Sequence, residues 1–282
     1  MEIIIGKHSG FCNGVRFTVE EATKALEEKK GIYCLGEIVH NERVIEDLEK
    51  KGMKTISSIE EAPNHSKVII RAHGELKETY EKAKKKDIEL LDLTCGKIKA
   101  IRIKIKNQLE DSFIIIMGKK NHPETLGVQS FSGKYSYILE NQEDLSECKK
   151  KYEKSKKEKI YIVSQTTFNS EKFDQLTELV KQEFPGEIIV EKTICNATSD
   201  RQKETEELSK KVDLMLIVGG KKSSNTKELE VISEKNCKEV YLIQDVNDLK
   251  ELKDWKKKTI GIMAGASTPE IVVKEIVEYL RG

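Results

Sequence analysis

Three cysteines, Cys12, Cys95 and Cys195, share one setting: each lies just after a short apolar run and just before a helical pattern. In GFCNG, DLTCGK and TICNATSDRQ the thiol sits among small or polar neighbours. The positive end of a helix dipole favours the thiolate, the form that attacks or binds metal. Successive members are 83 and 100 residues apart, as though one βαβ-rich unit of domain size had been used three times. Thiolates on three strand-end turns can converge on a metal. No local CxxC is present, which argues against a zinc ribbon or a ferredoxin-type loop. Three distant cysteines on a four-iron cluster would leave one iron without a protein thiolate, and a substrate can take that position. Free cysteines are also among the most often buried residues, so a packing reading stands beside the metal one. Packing is assigned to Cys34, inside IYCLG, and a surface or packing role to Cys148 and Cys237.

Polar groups on neighbouring loops suit an anionic substrate. His40 in IVHN, His73 in RAHGE and His122 in NHPE each follow an apolar run. His8 and His65 are read as hydrogen-bonded structural residues. Ser223, Ser224 and Asn225 follow LMLIVGG and open a helix, and Ser267 lies in AGASTPE. Hydroxyls, an amide and exposed N–H groups at helix starts make a cradle fit for phosphate, although each stretch alone is an ordinary helix cap. Neither a P-loop nor a dinucleotide fingerprint occurs, so ATP and NAD are not indicated. Glu124 in NHPE and Thr166 in SQTTF are candidates for moving a proton.

The elements that must position these groups follow from a repeated pattern. A short apolar run, a small polar loop and a helical stretch recur from IYCLGEIVHN to TIGIMAGASTPE, which predicts parallel α/β sheets with strands buried on both faces. Ligands of such sheets bind beyond the carboxyl ends of the strands, where these loops lie. Ile3, Ile4 and Ile5 read as a short buried strand, and Val15, Val19, Ala22 and Leu26 as the stripe of the helix after Cys12. IRIKIK alternates like a strand, yet Ile98, Ile101, Ile105 and Leu109 also make a helical stripe; the parallel with the other two cysteines predicts helix. Pro123 and Pro269 suit a first helical turn. The expected division is 13–94, 95–192, and 193–282 completed by 1–12.

The chain has 282 residues, 35% of them charged, with a net charge of +1. This gives no electrostatic case for nucleic acid. Apolar runs such as FIIIM and LMLIV are too short to span a bilayer, and MEIIIGKHSG lacks the marks of a signal peptide. A cytoplasmic protein with reduced cysteines is expected.

Together GFCNGV, GEIVHN, RAHGE, the TC of DLTCGK, NHPE, SQTTF, TICNATSDRQ, SSNTKEL and AGASTPE, in that order over nearly the whole chain, resemble the LytB/IspH family of 4-hydroxy-3-methylbut-2-enyl diphosphate reductases. This chain has Leu93 and Gly96 where the family usually has a small residue and proline. The resemblance implies three similar α/β domains with small, mostly parallel sheets in pseudo-threefold arrangement around one central 4Fe-4S cluster. Cys12, Cys95 and Cys195 match its ligands, with one iron left open. His40, His73, His122, Thr166, Ser223, Ser224, Asn225 and Ser267 match residues that bind the allylic diphosphate substrate. Glu124 matches the proton donor, assisted by Thr166. The implied reaction removes an allylic hydroxyl with two electrons and two protons, giving isopentenyl and dimethylallyl diphosphates, the last step of the methylerythritol phosphate route. A ferredoxin or flavodoxin is the implied electron donor, with no nucleic acid or membrane partner. From the residues alone, a non-reductive cluster hydro-lyase and a zinc-holding scaffold stay open.

Overall fold

Strands and helices alternate along the chain in the computed structural model, which describes residues 2–29, 31–250, 252, 255–256 and 258–282. The strands are β1 (Glu2–Ile5), β2 (Tyr33–Leu35), β3 (Lys54–Ile56), β4 (Lys67–Ile70), β5 (Glu89–Asp92), β6 (Ser112–Met117), β7 (Ser136–Leu139), β8 (Lys159–Ser164), β9 (Glu187–Val190), β10 (Leu214–Val218), β11 (Glu239–Ile243) and β12 (Thr259–Ala264). The helices are α1 (Asn13–Glu28), α2 (Glu42–Lys50), α3 (Lys77–Lys85), α4 (Gly96–Lys106), α5 (Pro123–Ser130), α6 (Leu145–Ser155), α7 (Ser170–Glu183), α8 (Asn196–Ser209), α9 (Ser224–Glu234), α10 (Val246–Leu249) and α11 (Glu270–Arg281).

These strands form three four-stranded sheets, ordered β3-β2-β4-β5, β7-β6-β8-β9 and β11-β10-β12-β1. Every pairing within them is parallel. The order is the same each time: second, first, third, fourth. In the last sheet the fourth strand is supplied by the start of the chain, where β1 lies beside β12 with Ile3 opposite Ile260.

Contacts divide the chain into two compact units. Met1–Thr23, Val39–Lys51 and Asn196–Gly282 make one, and Lys24–Ile38 with Gly52–Cys195 make the other. The first unit holds the β11-β10-β12-β1 sheet. Alternate residues of β10 enter two cores: Leu214, Leu216 and Val218 pack with α11 residues, Met215 and Ile217 with Leu208 and Leu229. The second unit holds the other two sheets. There Phe113, Ile115 and Met117 of β6 face one core while Ile114 and Ile116 face another.

The expectation of strands buried on both faces holds for β6 and β10, whose residues are all buried. It does not hold for Ile3–Ile5. β1 is an edge strand, and Ile5 is 44% exposed, because β12 covers only one side of it. The short strands β3 (KTI) and β7 (SYIL) lie outside the apolar runs that predict the other strands. Helix is the outcome for 96–106: Ile98, Ile101 and Ile105 pack against Ile114, Ile116 and Val163, while Ile103 points outward. Pro123 opens α5 as expected. Pro269 is instead the cap residue before α11, where its ring sets an extended backbone ahead of the first turn. No described helix is long and apolar enough to cross a membrane.

Candidate functional site

Each of the three cysteines follows the fourth strand of a different sheet. Cys95 comes after β5, Cys195 after β9 and Cys12 after β1, and the next residue opens α4, α8 and α1. Their backbone partners are equivalent too. The Cys95 N–H donates to Ala72 O (2.9 Å), that of Cys195 to Thr166 O (2.9 Å) and that of Cys12 to Ala266 O (3.2 Å). Ala72, Thr166 and Ala266 each stand two residues past the third strand of their own sheet. One backbone device thus sets three thiols at three strand ends. All three are partly exposed, whereas Cys34, Cys148 and Cys237 are buried. Burial pushes the Cys148 thiol up to about 12, so it stays protonated and inert. A partly exposed thiol at a helix start is chemically suited to an iron–sulfur group, for which thiolate is the preferred ligand.

Within the second unit, Glu124 and Thr166 come together. Glu124 is 1% exposed. Its Oε1 accepts from the Thr166 N–H (2.6 Å) and its Oε2 from the Thr166 hydroxyl (2.8 Å). The carbonyl of that same Thr166 receives the Cys195 N–H, so one peptide segment links the carboxyl group to a cysteine turn. Burial pushes the Glu124 carboxyl up to about 7, against the opposing pull of the Thr166 donors and of Arg102. A carboxyl poised there can hold and release a proton near neutrality. It does not cap its helix. That role belongs to His122, whose Nδ1 accepts from the Glu124 N–H (3.1 Å). With Nδ1 accepting, Nε2 is the ring nitrogen that can carry a proton. His73 lies edge-on to His122, ring centroids 5.4 Å apart.

In the first unit, Ser223 caps α9 by accepting the Thr226 N–H, and Ser224 and Asn225 follow it, all three buried. Among the described residues neither amide atom of Asn225 has a hydrogen-bond partner. Leaving a buried polar group unpaired costs about 1–3 kcal/mol, so the Asn225 amide is open to a partner that the described residues do not supply. The Ser267 hydroxyl donates to His40 O (3.2 Å). A Cβ at Gly220 would stand 2.3 Å from that carbonyl, so only glycine lets the two loops approach.

Registers reveal what the sequence reading overlooked. His40, His122 and Ser223 each lie five residues past the first strand of a sheet. His73 and Ser267 lie three residues past a third strand, and Thr167 holds the same position after β8. Thr167 accepts from Gln165 Nε2 (2.9 Å). Thr94, beside Cys95, is buried with a hydroxyl that lacks a partner among the described residues. SQTTF and LTC contain both residues, but only the sheet register singles them out. His8 and His65 pair with Glu204 and Asp87, as the structural reading expects.

Parallel sheets of one repeated order, with polar loops and a partly exposed cysteine at their carboxyl ends, define an α/β protein of the kind whose strand-end loops carry an enzyme site. The chain belongs to the LytB protein family, whose model matches residues 3–281. It is 38% identical over 286 residues to the 4-hydroxy-3-methylbut-2-enyl diphosphate reductase of Caldanaerobacter subterraneus subsp. tengcongensis, covering 100% of this chain and 97% of that one. Against the enzyme of the same name from Campylobacter fetus subsp. fetus the identity is 40%, covering 99% and 97%. Solved structures agree. The E-1-hydroxy-2-methyl-but-2-enyl-4-diphosphate reductase of Plasmodium falciparum superposes with a TM-score of 0.88 at 30% identity, covering 100% of this chain and 88% of that one. A structure of (E)-4-hydroxy-3-methyl-but-2-enyl diphosphate reductase, described as the terminal enzyme of the non-mevalonate pathway, gives 0.71 at 34%, covering 100% and 99%.

Proposed function

We propose that this chain is a 4-hydroxy-3-methylbut-2-enyl diphosphate reductase, an iron–sulfur oxidoreductase of the last step of non-mevalonate isoprenoid synthesis. The observation that carries the reading is the set of equivalent turns that present Cys12, Cys95 and Cys195. These three residues would hold one 4Fe-4S cluster, which when bound would supply a Lewis acid and a route for electrons. The net reaction takes the allylic alcohol, two electrons and two protons to isopentenyl or dimethylallyl diphosphate and water.

The chain's own residues do the rest. Ser223, Ser224, Asn225 and Ser267 offer hydroxyls and an amide to the diphosphate, and His40, His73 and His122 add N–H donors. Unpaired buried amide atoms of Asn225 support this assignment. Glu124, protonated in its buried setting, gives a proton to the departing hydroxyl so that water leaves instead of hydroxide. Thr166 aims that carboxyl through its two donors. Electrons come from a ferredoxin- or flavodoxin-class donor, and the enzyme works in the cytoplasm. The three-domain division 13–94, 95–192 and 193–282 with 1–12 is part of this reading, supported by strands of each sheet that come from one of those segments.

Protein purified without air tests the whole reading. It is expected to be brown, to contain about four irons and four sulfides per chain, and to consume substrate only with a reductant present. A colourless zinc protein, or turnover that needs no reductant, would overturn it.

A further inference from the structure

The DRQ end of TICNATSDRQ has no part in the site described above, yet Arg201 is 3% exposed. Its guanidinium reaches out of α8 with Nη1 on Ala197 O (3.0 Å) and Nη2 on Gly10 O (2.8 Å). Gly10 precedes Cys12 by two residues and has φ +93°, a backbone state that suits glycine. One turn further along α8, Glu204 accepts the N–H groups of Lys7 (2.6 Å) and His8 (2.8 Å) and also meets His8 Nδ1 (3.0 Å). The other flank of this loop hangs on β12 and the turn after it, through Gly6 N to Ile262 O and Cys12 N to Ala266 O.

The lead from strand to cysteine explains why such a clamp is needed. Two residues separate β5 from Cys95 and four separate β9 from Cys195, but six separate β1 from Cys12. A longer lead has more conformations to lose before its thiol is aimed. We propose that Arg201 and Glu204 are positioning residues that clamp the 6–11 loop to α8 and so fix the Cys12 thiol as a cluster ligand. The helix that begins right after one cysteine thereby orients another. This rests on the cluster reading of Cys12.

The test uses anaerobically purified full-length protein carrying Arg201→Met or Glu204→Ala. Lys86→Met is the control, since the Lys86 ammonium also holds backbone carbonyls, those of Ile59, Glu60 and Ala62, in the other unit. Both clamp variants are expected to lose iron to a chelator about 10-fold faster or more, the scale seen when the partners that orient a metal ligand are removed. The electron paramagnetic resonance spectrum of the reduced protein should change, and amide exchange across 7–12 should quicken. The control should show none of these. Wild-type iron loss and spectrum in the variants would overturn the proposal, as would equal iron loss in the control. Should Arg201→Met fail to fold, the partly exposed Glu204→Ala decides by the same criteria. Wild-type protein without iron would instead refute the cluster reading itself, a separable result.

Discussion

Glu124 is a carboxyl group withdrawn from water and given both of its hydrogen bonds by a single residue, Thr166. Glutamine keeps the shape but cannot deliver a proton. Glu124→Gln should retain its iron and bind substrate while turnover falls by ~100-fold or more, the scale of general acid catalysis. Steady-state turnover under anaerobiosis, with iron content, checks this. The pH dependence has a definite sign. Because the folded carboxyl titrates near 7 and an ordinary one near 4.5, its contribution to stability is fully present below about 4.5 and is lost as pH rises through 7. The buried charge then costs about 3 kcal/mol, so thermal melts should show Glu124→Gln gaining on wild type between pH 5 and 8. A constant difference across that window would contradict the buried-acid assignment.

At the scale of elements, position in the sheet separates cysteines that composition treats alike. Serine at Cys12, Cys95 or Cys195 should strip or loosen the iron and abolish turnover. Serine at Cys34, Cys148 or Cys237 should leave the iron content intact, with only a modest loss of stability from a hydroxyl placed in a core. Equal iron loss from both sets would sink the division. Loop approach is equally specific. Gly220→Ala puts a methyl group against His40 O, forcing the His40 loop to move, and KM should rise by about 10-fold or more. Iron content should not change, and a kinetic comparison with iron analysis tests both halves. Helix α4 shows how far pattern alone reaches. IRIKIK fits a strand that would bury Ile101, Ile103 and Ile105 together, while the helix buries Ile98, Ile101 and Ile105 and leaves Ile103 62% exposed. The signal that favours helix is the cysteine at its start, in the same setting as the other two.

Across the whole molecule, ligands 83 and 100 residues apart would close long loops of the chain around one cluster. A cluster that binds only the folded state stabilises that state by mass action. Iron removal by an anaerobic chelator should therefore lower the melting temperature, whereas the Cys95→Ser protein should show little further change. Calorimetry of both proteins, with and without chelator, measures it.

The sequence by itself determined the α/β class, the three cysteine turns, and every loop that carries a candidate binding group. It could do so because strand, turn and helix cap are local, written in a few adjacent residues. Tertiary structure alone decided what depends on neighbours distant along the chain. β1 took an exposed edge beside β12 instead of a buried place, Thr166 became the shared partner of Glu124 and Cys195, and Arg201 found Gly10 O. Burial belongs to the same group, because NHPE marks Glu124 as a candidate for moving a proton but does not show the packing that removes the water that would hold it ionised.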